Sequence, residues 1–250
     1  MIDPNLFAEP VALDREKHRG LRVRSGGPDF ARTAAMNALF ITAVEFGDVC
    51  KDYAIVFVGA GTNPDGKADV APMAVLGLAP GENLMLQADG SWAAHYVPAM
   101  LRAYPLGLAR VDDKSYTLCI DAQSTLLSSD QGQALFTIDG QPSPYLDESR
   151  RFLEQLEAEV QRTRLLCQRL LELELLQNMR FDATLPDGSK VSAEGFFAID
   201  EKKLAELPDA TVVELHRNGM LGLVHAQQIS MSHMRRLVER RVERAAPVLA

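Results

Sequence analysis

From Pro144 to Leu176 the chain carries no glycine and no second proline, and Phe152, Leu156, Val160, Thr163, Cys167, Leu170 and Leu171 recur there at three- and four-residue steps. That spacing puts them on one side of an α-helix. Ser143 is a good N-cap, Pro144 suits the first helical position, and Asp147 and Glu148 fall near the positive end of the helix dipole. Unbroken to Leu176, the helix would be about 50 Å long. A second apolar set, Leu165, Leu166, Leu173, Leu175 and Leu176, predicts burial on more than one side near its end. Such a helix needs a cover, either its own sheet, which is the simpler reading, or its counterpart in a homodimer.

The strands that could cover it are short and separated by turn residues. Tyr53 to Val58, Met73 to Leu78, Leu106 to Arg110 and Tyr116 to Ile120 are apolar and β-branched runs. The last two are joined by Asp112-Asp113-Lys114, a turn short enough to require antiparallel pairing. Asp89-Gly90 predicts a hairpin with strands to Gln87 and from Ser91, Asp139-Gly140 another turn after Leu135 to Ile138, and Pro186-Asp187-Gly188 a third. Pro98 and Pro105 bracket a short helix. Phe30 to Phe46 fits a helix or a buried strand.

Towards the C-terminus, Asp200 caps a helix from Glu201, Pro208-Asp209 opens the next, and Gly219 stops it. Met220 to Ile229 fits strand or helix equally, and a last helix spans about Met231 to Arg244. The fold class is therefore α+β: a mainly antiparallel sheet with a long helix, plus a smaller C-terminal hairpin-and-helices unit. The expected division is an arm at 1–30, a main domain at 31–177 and a C-terminal subdomain at 178–250.

Composition sets limits on partners. Hydrophobic residues at 47% and charged residues at 24% are those of a folded globular chain, and a net charge of −8 disfavours a general nucleic-acid binder. Cys50, Cys119 and Cys167 are dispersed and outside any C-x-x-C pair, as expected of reduced thiols in a cytoplasm. The first twenty residues lack the positive start and apolar core of a signal peptide, and no run is long enough for a membrane helix, so neither export nor membrane insertion is expected.

Standard catalytic patterns fail on inspection. Gly61, Gly66 and Lys67 have phosphate-loop spacing, but Ala68 replaces the metal-binding hydroxyl, Asp65 puts negative charge in the anion cradle, and Pro72 blocks the following helix. Pro64 stands where a dinucleotide fingerprint needs its third glycine. His216, His225 and His233 match no standard ligand spacing, so neither a metal nor a cofactor is expected. Arg235, Arg236, Arg240, Arg241 and Arg244 alternate with Glu239 and Glu243 on the last helix, which predicts a solvated face of intrahelical pairs. The densest concentration of recognition chemistry lies at Gly77 to Tyr104, around the only tryptophan. Trp92, Tyr96, Arg102 and Tyr104, with Asp121, form the candidate ligand site, with aromatic packing as the alternative.

Three blocks carry a resemblance: GLAPGENLMLQADGSWAAHYVPAMLRAYP from Gly77, LCIDAQSTLLSSDQGQALFTIDGQPSP from Leu118, and FAIDEKKLAELPDATVVELHRNGMLGLVHAQQIS from Phe197. Their order and spacing, over about Leu39 to Leu237, resemble the SapC-like proteins of bacteria. The family's name comes from a surface-layer gene cluster, and its members are often encoded beside tryptophan-halogenase-like flavoproteins and TonB-dependent receptors. The resemblance thus implies a binding or adaptor protein working with a surface-layer, nutrient-uptake or halogenase-associated system, and brings no established catalytic residues. The alternative expectation is an enzyme with an unfamiliar small-molecule site around Trp92 to Tyr104.

Overall fold

Ser143 starts the long helix as its sequence requires: its hydroxyl accepts the Leu146 N–H at 3.1 Å. The computed structural model describes residues 2–62, 66–112 and 115–245. In chain order the strands are β1 (Pro10–Ala12), β2 (Arg22–Val23), β3 (Ala38–Phe40), β4 (Ile55–Thr62), β5 (Ala68–Val75), β6 (Leu106–Arg110), β7 (Tyr116–Asp121), β8 (Leu127–Ser128), β9 (Gln133–Ala134), β10 (Leu176–Thr184) and β11 (Lys190–Ile199). The helices are α1 (Phe46–Val49), α2 (Ala99–Ala103), α3 (Pro144–Glu172), α4 (Glu201–Ala205), α5 (Asp209–Arg217), α6 (Met220–Ser230) and α7 (His233–Ala245). The architecture is α+β, with every sheet antiparallel.

Two compact units interleave along the chain: Met1–Thr33 with Ala99–Ala158, and Ala34–Pro98 with Glu159–Ala250. This differs from a linear division at 30 and 177, and strand pairing is the reason. The segment read as an arm supplies β1, which pairs with β7, and β2, which pairs with both β8 and β9. The first unit's sheets run β1-β7-β6 and β8-β2-β9, over a core that includes Leu106, Leu108, Ile120, Leu135, Leu146 and Leu153.

In the second unit one five-stranded sheet runs β10-β11-β4-β5-β3. The C-terminal hairpin is therefore part of the same sheet as β3 to β5, joined where Phe197 pairs with Phe57. Helix α6 is fastened to that sheet by two buried polar side chains. Gln227 donates to the Ile55 carbonyl at 2.9 Å and accepts the Ile199 N–H at 3.3 Å, while the Ser230 hydroxyl accepts the Ile55 N–H at 2.9 Å. Met220 to Ile229, ambiguous by pattern, is helical. Gly219 turns through φ +81° before it, and the Asn218 side chain accepts the Met220 N–H at 3.0 Å.

Helix α3 is 29 residues, about 43 Å, and ends earlier than its composition suggests. The Leu175 N–H reaches back to the Leu170 carbonyl at 2.9 Å and the Glu174 N–H to that of Leu171 at 3.0 Å, with Glu174 at φ +51°. This left-handed stop normally takes glycine. The helix's apolar stripe is covered within the chain: Leu153, Leu156, Val160, Leu166, Cys167 and Leu170 are all buried. Leu165 is exposed, so burial on a second side does not extend to it.

The three Asp-Gly turns are near copies of one another. Around Gly90 the bonds run Gln87 N–H to Ser91 C=O and Gly90 N–H to Gln87 C=O; around Gly140 they run Thr137 to Gln141 and Gly140 to Thr137; around Gly188, Leu185 to Ser189 and Gly188 to Leu185. All three glycines have φ near +80°. Only the third joins two long strands. The first two close a single bridge each, Leu86 with Trp92 and Phe136 with Pro142, the former in place of the strands expected to Gln87 and from Ser91.

The phosphate-loop spacing lies in the antiparallel connection from β4 to β5, and no helix follows it. Asn63, Pro64 and Asp65, the centre of its expected surface turn, lie outside the described residues, as do Asp113 and Lys114 of the turn between β6 and β7.

Candidate functional site

The five residues singled out by sequence fall into two groups in different compact units. Trp92 and Tyr96 are in the second unit, and Arg102, Tyr104 and Asp121 in the first.

In the first unit Tyr104 and Asp121 form a sealed anchor. Asp121 is fully buried at the end of β7, and its carboxylate accepts the Ala8 N–H at 3.1 Å, the Glu9 N–H at 2.9 Å and the Tyr104 hydroxyl at 2.8 Å. Burial alone would raise the Asp121 carboxyl, but the hydrogen bonds from Glu9, Ala8, Tyr104 and Gln123 together outweigh it and hold it below the usual carboxylate range. The Tyr104 phenol is pushed up to about 12, chiefly by burial, with the Asp121 charge adding to the shift and a Ser124 hydrogen bond opposing it. These groups bind each other and tie the N-terminal segment to β7. Arg102 lies 5.2 Å from the centre of the Phe152 ring and borders a cavity of about 250 Å³ with Tyr145, Glu148 and Ser149.

Trp92 and Tyr96 belong to a longer chain of bonds in the second unit. The Trp92 indole N–H donates to the Tyr53 hydroxyl at 2.6 Å, Tyr53 donates to the Tyr96 carbonyl at 2.5 Å, and the Tyr96 hydroxyl donates to Glu45 Oε1 at 3.0 Å. Glu45 Oε2 in turn accepts both the Thr42 N–H and the Thr42 hydroxyl at 2.8 Å, an N-cap arrangement. Asp52 holds the same loop by accepting the backbone N–H of His95 at 3.0 Å and of Tyr96 at 2.9 Å. Tyr53 is fully buried, and burial drives its phenol far above the ordinary value despite the Trp92 hydrogen bond.

Helix α7 holds the other side of this loop. Arg240 donates to the Ala93 carbonyl at 2.9 Å, Arg244 donates to the carbonyls of Asn83, at 2.7 Å, and Leu86, and Arg241 pairs with Glu82 at 3.4 Å. Guanidinium groups thus satisfy carbonyls on this loop, which closes the single bridge of Leu86 with Trp92. The arginines read as a solvated face thus divide. Arg235 makes its intrahelical pair with Glu239 at 3.5 Å, while Arg240, Arg241 and Arg244 turn inward onto the loop. Between loop and helix lies an open groove of about 650 Å³ lined by Leu84, Gln87, Ala88, Ala93, Arg236, Glu239, Arg240, Glu243 and Arg244. Arg236, Arg240 and Arg244 stand one above another along it at four-residue steps.

Sequence reasoning missed Tyr53, Glu45, Asp52 and the inward arginines. Tyr53 looked like the first residue of a buried strand, and the glutamates beside the arginines offered a sufficient local partner. His225 contacts Gln228 at 2.9 Å and His233 the Cys50 carbonyl at 3.0 Å; among the described residues no group of three His, Cys, Asp or Glu side chains is arranged to hold a metal. Burial pushes the Cys119 thiol up, and the Cys167 thiol up to about 12. No helix among the described residues is long and apolar enough to cross a membrane.

The family model described as SapC matches residues 13–237. No curated protein and no solved structure matches the chain.

Proposed function

Because the chain belongs to the SapC family, we propose that it is a non-catalytic binding or adaptor protein, acting in the cytoplasm with a surface-layer, nutrient-uptake or halogenase-associated system. One observation carries this reading: the polar groups around Trp92 are spent on one another and on backbone groups, while a preshaped groove lies between the neighbouring loop and α7. Tyr53, Tyr96, Glu45 and Asp52 each have partners within the protein, and the phenol of Tyr53 is shifted away from acid-base use near neutrality. Arg240 and Arg244 fix the groove's wall from α7. A wall held this way costs little ordering when a partner docks. The partner proposed is a protein encoded nearby, such as a tryptophan-halogenase-like flavoprotein.

Native co-purification followed by partner identification tests the reading. Recovery of the flavoprotein or another neighbouring gene product is expected, with loss of it in Arg236→Glu, which reverses a charge on the groove. Recovery of the chain with no second kind of polypeptide would overturn it.

A further inference from the structure

The five-stranded sheet has β10 as an outer strand. β10 is hydrogen-bonded to β11 on one side and forms the edge of the sheet on the other. Near its two ends the Leu185 N–H donates to the Ser189 carbonyl at 2.8 Å, and the Leu175 carbonyl accepts the Asp200 N–H at 2.8 Å. Both anchor residues are odd-numbered, and the bulge opposite Arg180 inserts its extra residue into β11: Met179 pairs with Phe196, and Phe181 with Ala193. The alternation along β10 is therefore uninterrupted. Odd residues bond inward to β11, and the N–H and C=O groups of Asn178, Arg180, Asp182 and Thr184 face the open edge.

We infer that this edge joins the same edge of a second copy in a two-fold antiparallel pair centred on Phe181. Two constraints select that register. Backbone bonding across the edge requires even residues to face even residues. Centring the pair on Arg180 or on Asp182 would set like charges directly opposite each other, and centring it on Met179 or Ala183 would set both charges opposite uncharged residues, whereas centring it on Phe181 sets Arg180 of each copy opposite Asp182 of the other. On the opposite face the same register brings Phe181 against its symmetry mate and Met179 against Ala183, which are half-buried in the single chain. One face of the joined strands is then apolar and the other carries two cross-strand ion pairs. Both charges are within reach of the solvent-facing edge, since the Arg180 and Asp182 side chains are 61% and 60% exposed; within the chain they meet one another, Arg180 also meets Glu194, and Asp182 also meets Ser192 and Lys190, all along their own hairpin. Such an interface is self-complementary, the condition for a closed two-fold dimer. This inference concerns a different surface from the α7 groove and stands independently of the adaptor reading.

Sedimentation equilibrium of the full chain over a wide concentration range tests it. A reversible species of twice 27.5 kDa is expected. Arg180→Asp alone and Asp182→Arg alone each set like charges opposite and are expected to weaken association about tenfold or more. The double variant R180D/D182R is expected to restore it, and mixing the two single variants to give a heterodimer, since each then faces opposite charge. Unchanged circular dichroism shows that the variants remain folded. A wild-type chain that stays monomeric at its highest soluble concentration, or association that the single swaps leave unchanged, overturns the proposal; so does pairing of this edge with a different protein's strand in place of a second copy.

Discussion

Asp121 shows how a candidate site residue proves structural once its partners are known. Four donors converge on one fully buried carboxylate, so removing it leaves amide and phenol hydrogens without acceptors. Asp121→Ala is expected to cost about 2–4 kcal/mol in urea unfolding. The pH dependence follows from the lowered folded-state pKa: the contribution is complete above the unfolded value of about 3.9 and is lost as pH falls through the folded value. Wild type is expected to lose stability over that acid range, with a shallower loss in Asp121→Asn. His233 acts at higher pH. Its ring meets the Cys50 carbonyl through Nε2, so that nitrogen carries the proton, and the buried Nδ1 has no partner among the described residues. Burial lowers its pKa, so stability is complete above about pH 6.5 and falls as pH drops below that, where the unfolded chain takes up a proton that the folded one resists. His233→Gln is expected to flatten this part of the stability-pH curve.

At the scale of single elements, the two decisive terminations are made by side chains ill-suited to local rules. Helix α3 stops on Glu174 at φ +51°, a conformation that costs a residue with a Cβ about 1–2 kcal/mol. Glu174→Gly relieves that cost, and the greater freedom of glycine in the unfolded chain offsets part of the gain, so thermal unfolding should show a net stabilisation of about 0.5–1 kcal/mol. The loop at Leu84 to Ala93 depends on α7 for its carbonyl partners. Arg244→Ala removes charged donors from Asn83 and Leu86 and is expected to cost about 1–2 kcal/mol. Amide exchange should accelerate most at residues 83–93, and an unchanged exchange pattern there would refute the clamp.

For the whole molecule, the order of pairing matters more than the order of elements. β11 lies between β10 and β4, and Gln227 and Ser230 of α6 satisfy the backbone of Ile55. A chain ended at Gln177, where sequence placed a boundary, therefore leaves β4 without its neighbour and exposes core residues such as Ile55 and Phe57. Such a truncation is expected to lose the dispersed methyl resonances of the second unit in an NMR spectrum. Retention of them would show that the hairpin and helices form a dispensable subdomain.

Sequence alone determined the features whose cause is local. The Ser143-Pro144 start of α3, the Asp200 cap, the Gly219 stop, the antiparallel β6-β7 pair and the reversals at Gly90, Gly140 and Gly188 all rest on residues a few positions apart. The three family blocks were legible for the same reason, as continuous stretches of chain. Tertiary structure decided which strands became neighbours, that Arg240 and Arg244 turn to carbonyls about 150 residues away in place of the adjacent glutamates, and that Trp92 and Asp121 belong to different units. A guanidinium has five donors and many acceptors it could satisfy, and nothing near it in sequence says which will be within reach once the chain has closed on itself.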